Sequence, residues 1–85
     1  MNTTQETLQI IDETLNLHGR ALSFDENTKL LGSLAELDSL MVAKLLGRIE
    51  ESFKIRIEDD EIDGAIFSTV GSLVAFIKVK IDHKK

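Results

Sequence analysis

The residues best placed to do chemistry are Leu37-Asp38-Ser39-Leu40, which open an amphipathic run from Met41 to Phe53. Aspartate is a strong helix N-cap, because its carboxylate accepts a bond from an otherwise unpaired backbone N–H one turn further in. Ser39 then takes the first helical position. Unpaired N–H groups and the positive end of the helix dipole converge there, which suits that corner to a phosphate. A hydroxyl held at this point could carry a phosphodiester. The same residues are also an ordinary way to begin a helix, with Leu40 as an ordinary first core contact, so their surroundings must say more.

Other candidate chemistry is weaker. In Glu58-Asp59-Asp60-Glu61-Ile62-Asp63-Gly64, residues Asp59, Glu61, Asp63 and Gly64 fall on positions 1, 3, 5 and 6 of a calcium loop, but position 12 is Val70. That position needs a bidentate carboxylate, so the run reads as a solvated helix start. His18 and His83 stand at opposite ends of the chain without a second ligand at metal spacing, and no metal site is expected. Ser39 has no histidine near it in sequence to act as a base, so an enzyme is not expected.

Helical periodicity supplies the elements that would position Ser39. A first helix is expected over about Thr4 to Leu17, capped by Thr3 or Thr4 and ended by Gly19, with Leu8, Ile11 and Leu15 inward. From His18 to Asp38 the periodicity lapses, yet Leu22, Phe24, Leu30, Leu31, Leu34 and Leu37 are too apolar for a free linker. A long loop packed on the bundle is expected, with a short helical turn at Asp25 to Leu31 and a reversal at Gly32. The second helix runs from Ser39 to about Ser52, burying Val42, Leu45, Leu46, Ile49 and Phe53. Gly47 weakens it unless a close neighbour needs the space.

Phe53-Lys54-Ile55-Arg56-Ile57-Glu58 alternates like a strand, but nothing convincing exists to pair with it, so an extended connection dropping Ile55 and Ile57 into the core is expected. Asp59 to Phe67 suggests a short third helix. Ser68 or Thr69 then caps a last helix with Val70, Leu73, Val74, Ile77 and Ile81 inward and lysines crowding its end, frayed from about residue 82. The whole is expected to be one all-α domain over residues 1–85, a small bundle of three longer helices and one short one.

Composition narrows the function further. With 85 residues and no cysteine, stability must come from helix packing rather than disulfides or thiolate metal sites, and 42% hydrophobic content suffices for a small bundle. A net charge of −5 removes the electrostatic drive for nucleic-acid binding. No apolar run approaches membrane-spanning length, and the polar Met1 to Gln9 lacks the form of a signal peptide, so a cytoplasmic monomer is expected. Seven of the fifteen acidic residues fall between Glu50 and Asp63, a lobe able to steer charged partners.

Leu31-Gly32, Asp38-Ser39-Leu40, Leu45, Leu46, Ile49, Glu50, Glu51, Phe53, Ile55 and Ile57, in this order and spacing, resemble an acyl carrier protein. The resemblance runs from the first helix through Ile77 and takes in Thr69-Val70. It implies a four-helix bundle of the acyl-carrier type and phosphopantetheine attached covalently to Ser39, with Asp38 and Leu40 as motif neighbours. It also implies a magnesium-dependent phosphopantetheinyl transferase, using coenzyme A, and acyl-loading and acyl-transferring enzymes as partners. The chemistry agrees, because a chain without cysteine must import the thiol that holds a thioester.

Departures bear on the pathway. Carriers of bacterial fatty acid synthesis usually read Leu-Gly-x-Asp-Ser-Leu, whereas here Ser33-Leu34-Ala35-Glu36-Leu37 separates Gly32 from Asp38. Met41, Lys44 and Arg48 follow the motif where such carriers are acidic, while Glu50 and Glu51 keep the acidity. These five residues are the candidates for partner recognition, and their charge points to a discrete carrier in a dedicated polyketide-like, lipid-modifying or aminoacyl-transfer system. The alternative is a helical interaction module that never bears a prosthetic group.

Overall fold

The computed structural model describes residues 2–32, 34 and 37–83, and of Asp59 only the backbone. Three α-helices form the bundle: α1 (Thr3–Leu15), α2 (Ser39–Phe53) and α3 (Val70–His83), with 3₁₀ turns at Arg20–Ser23 and Asp59–Glu61. Leu8, Ile10, Ile11 and Leu15 of α1 meet Leu45, Leu46 and Ile49 of α2 and Val70, Leu73, Val74 and Ile77 of α3 in one continuous core. Each such side chain taken fully out of water contributes about 1.5–3 kcal/mol. Arg48 reaching Glu13 and Ser52 reaching Glu6 show that α1 and α2 run antiparallel.

The helix ends are set by local chemistry. Asn2, not Thr3 or Thr4, caps α1, its Oδ1 accepting from the Gln5 N–H at 2.8 Å. The same helix ends earlier than expected, because Asn16 takes the left-handed conformation at φ 58° and closes it before Gly19. Asp12 then holds the outgoing chain, its carboxylate accepting from the N–H groups of Gly19 and Ala21. Thr69 caps α3 reciprocally with Ser72, each hydroxyl accepting from the other's N–H at 3.1 Å. The helix continues through His83, and Lys84 and Lys85 of the expected frayed tail lie outside the described residues.

The long loop is fastened by backbone bonds that no periodicity announces. Gly71 and Val70 donate to the Glu26 and Thr28 carbonyls, and Leu30 and Leu31 donate to those of Ser68 and Phe67. Residues 26–31 therefore lie alongside 67–71, with one bridge between Lys29 and Thr69, and the helical turn expected at Asp25 to Leu31 shrinks to a turn at Asp25–Thr28. Leu30 and Leu37 are buried by this arrangement, whereas Leu22 and Leu31, expected to pack inward, stay exposed.

The expected short third helix is a 3₁₀ turn at Asp59–Glu61 followed by i to i+3 bonds from Ile66, Phe67 and Ser68 to Asp63, Gly64 and Ala65. Side chains compete with α-helical bonding here. The Asp63 Oδ1 accepts from the N–H groups of Ala65 and Ile66, and a Glu61 oxygen accepts from the Glu58 N–H. Both Glu61 oxygens also accept from Lys80 Nζ, at 2.8 and 2.9 Å. That bond and the Glu58 N–H hold the Glu61 carboxyl below its ordinary value, against the opposing effect of burial. The preceding connection, residues 55–58, forms neither helix nor strand, with Ile55 buried and Ile57 half-buried.

Candidate functional site

Asp38 lies in the extended region and caps α2, its Oδ1 accepting from the Met41 N–H at 2.9 Å while its carbonyl accepts from Val42 at 2.8 Å. Buried Leu37 anchors the chain immediately before it, and the Leu37 N–H donates to the Leu34 carbonyl. Ser39 is thus held at an exposed first helical position one residue beyond its cap and two beyond a core contact. Among the described residues nothing hydrogen-bonds its hydroxyl, and no acceptor meets the N–H groups of Ser39 or Leu40. This exposed hydroxyl beside open donors and the positive end of α2 fits a phosphate-linked group.

Ser39 stands at the mouth of a cleft of about 300 Å³ lined by Leu31, Val42, Ile62, Asp63, Gly64 and Phe67. Asp63 is the lining's one titratable side chain, and its Oδ1 accepts from Ala65 and Ile66 N–H groups. Among the described residues no three histidine, cysteine, aspartate or glutamate side chains converge as a metal site, and Val70 at the twelfth position of the acidic run is fully buried.

The five candidate recognition residues separate. Met41 packs half-buried against the core and Lys44 is exposed. Arg48 contacts Glu13 at 3.2 Å across the groove between α1 and α2, which Glu51 also lines. Glu50 is turned under the end of α2, where its Oε2 accepts from the Ile57 N–H at 2.8 Å. Leu40, an ordinary core contact if the motif were only a helix start, is 75% exposed. The cleft residues Leu31, Ile62, Gly64 and Phe67 were not found from the sequence, since they come from separate segments that share no spacing pattern.

Comparison with known proteins agrees with this geometry. The family model for the phosphopantetheine attachment site matches residues 5–77. The chain is 34% identical over 71 residues to the acyl carrier protein AsbD of Bacillus anthracis, covering 84% of this chain and 76% of that protein. It is also similar to the solution structure of the holo acyl carrier protein NE2163 of Nitrosomonas europaea, with a TM-score of 0.90 and 35% identity, over 98% of this chain and 100% of that one. With its helical bundle and its serine at a capped helix start, the chain belongs to the acyl carrier proteins, whose covalently attached prosthetic group is phosphopantetheine.

Proposed function

We infer that Ser39 is the attachment residue and that this carrier serves a dedicated pathway rather than general fatty acid synthesis. The observation that supports the site is the exposed hydroxyl of Ser39 at the start of α2, unengaged among the described residues and fixed between the Asp38 cap and buried Leu37. Ser39 Oγ would hold the group through a phosphodiester, with the dipole of α2 favouring the phosphate. The group supplies the thiol that a chain without cysteine lacks.

The partners are a phosphopantetheinyl transferase and the enzymes that load and remove the acyl group, and bond-making chemistry belongs to them. Lys44 and Arg48 on α2, together with the longer segment between Gly32 and Asp38, support a dedicated pathway, because they change the charge and contour met by an enzyme reaching Ser39. Intact mass after incubation with coenzyme A, magnesium and a broad-specificity transferase tests the site. Wild type should gain one phosphopantetheine and Ser39→Ala none. Gain by both variants would move the site elsewhere, and no gain by folded wild type with several transferases would favour an interaction module.

A further inference from the structure

Leu22 stands 61% exposed on the 3₁₀ turn Arg20–Ser23. The chain takes left-handed backbone at Asn16, His18 and Gly19, with φ of 58°, 56° and 90°, where this turn leaves α1. Such backbone is unfavourable for Asn16 and His18, so it persists only where other contacts fix it. The Asp12 carboxylate supplies them, accepting from the N–H groups of Gly19 and Ala21, and Ala21 is fully buried. Leu22 is therefore held in water by a turn fastened on both sides of it, since Phe24 also donates its N–H to the Ala21 carbonyl.

Leu22 borders a depression of about 520 Å³ along α1, lined also by Gln5, Leu8, Gln9, Asp12 and Glu13. Its apolar part is Leu22 with buried Leu8, and the rest of its lining is two carboxylates and two amides without a cation. Arg20, the one charged residue of the turn, does not line it. Helix α1 as a whole carries Glu6, Asp12 and Glu13 and no lysine or arginine. Glu6 and Glu13 continue into the adjoining groove between α1 and α2, where Glu51 adds a carboxylate and the one cation of the lining, Arg48, is paired with Glu13. Neither depression is lined by any residue of the Ser39 cleft.

We propose that the face built from α1 and the Arg20–Ser23 turn is a separate docking surface for a basic amphipathic helix of a partner protein. Its apolar side chains would seat on Leu22 and Leu8, and its lysines or arginines would lie over the carboxylates of α1. Charge selects this occupant: acidic groups beside an apolar contact are complementary to cations flanking an apolar stripe, and they repel a second copy of the same face. Because the turn already fixes Leu22, docking orders little of this chain. The proposal goes beyond the carrier reading and does not depend on it. A partner seated here leaves Ser39 and its cleft open, so the protein can be held by one partner while another works at Ser39.

Two helical peptides with one common leucine stripe, flanked in one by lysines and in the other by glutamates, provide the probes. Each is titrated into the isotopically labelled full-length chain, and the amide resonances of the chain are followed. The lysine peptide should shift Gln5, Gln9, Asp12 and Leu22 together and bind more weakly as salt is raised, whereas the glutamate peptide should leave these amides in place. Leu22→Ala, at an exposed position outside the core, should weaken the lysine peptide about tenfold, the factor for a leucine side chain largely removed from water. The double variant Glu6→Gln and Glu13→Gln should weaken it at low salt and flatten its salt dependence. Absence of shifts on α1 and the turn, shifts confined to the Ser39 cleft or to residues 58–63, or unchanged affinity with Leu22→Ala would overturn the proposal. Ser39→Ala leaves this face intact and should bind as wild type does, so failure of docking and failure of attachment in the mass assay are read separately.

Discussion

Replacing Asp38 with alanine separates the cap from the motif. Among the described residues its side chain makes one bond, Oδ1 accepting from the Met41 N–H at 2.9 Å, in an exposed position where water can partly replace it. Losing such a cap costs about 1 kcal/mol. For 85 residues the unfolding entropy makes this a fall in Tm of about 6 °C. Because the cost falls on the turn that contains Ser39, kcat/KM for phosphopantetheine transfer should drop by up to about fivefold, the factor equivalent to that energy. Asn2→Ala is the control, since it removes a cap of the same geometry, 2.8 Å to the Gln5 N–H, from α1. It should lower Tm similarly and leave the transfer rate alone. Asp38→Asn keeps a good cap and removes only the charge, so wild-type Tm with a slowed transfer would mean that the transferase reads the carboxylate. Circular-dichroism melts and transfer rates at subsaturating carrier decide the matter. Equal slowing by Asn2→Ala and Asp38→Ala, or no change in Tm with Asp38→Ala, would refute the reasoning.

Three further outcomes follow from the packing. Gly47→Ala should stabilise the chain by about 0.5–1 kcal/mol in denaturant titration, because its Cβ meets nothing within 4 Å and the helix gains propensity. Gly71→Ala should destabilise it by about 1–3 kcal/mol in the same titration, since its Cβ would stand 3.0 Å from the Glu26 carbonyl oxygen that accepts the Gly71 N–H. The lowered pKa of Glu61 gives the Lys80 bond a defined pH dependence: its stabilisation is fully present above the ordinary value of 4.5 and is lost as pH falls through the lower folded-state value. Glu61→Gln should therefore be less stable than wild type at pH 7 and approach it in acid, and parallel stability curves would contradict the assignment.

What could be read along the chain and what could not divide by the range of the interactions. Asp38 as cap, Ser39 at the first helical position and the buried stripe Leu45, Leu46 and Ile49 are local consequences of side-chain chemistry and the 3.6-residue period, and the sequence was sufficient for them. The decision against a strand at Ile55 and Ile57 also stood, because a lone strand has no partner for its backbone. Other features depend on segments distant in sequence. The loop is set by backbone bonds between 26–31 and 67–71, and Leu31 is left exposed while Leu30 is buried, a choice that hydrophobicity alone does not make. The expected third helix gave way to 3₁₀ geometry where Asp63 and Glu61 take backbone N–H groups and Lys80 arrives from α3.

The same division runs through the site. Sequence by itself determined that a serine would stand at a helix start in a chain with no thiol of its own. Tertiary structure decided which neighbours remain free: Arg48 meets Glu13, Glu50 turns to Ile57, Met41 goes inward, and Leu40 and Lys44 stay in solvent. A helical wheel specifies the direction of each side chain on its own helix, but exposure and pairing depend on what the rest of the chain brings against that face.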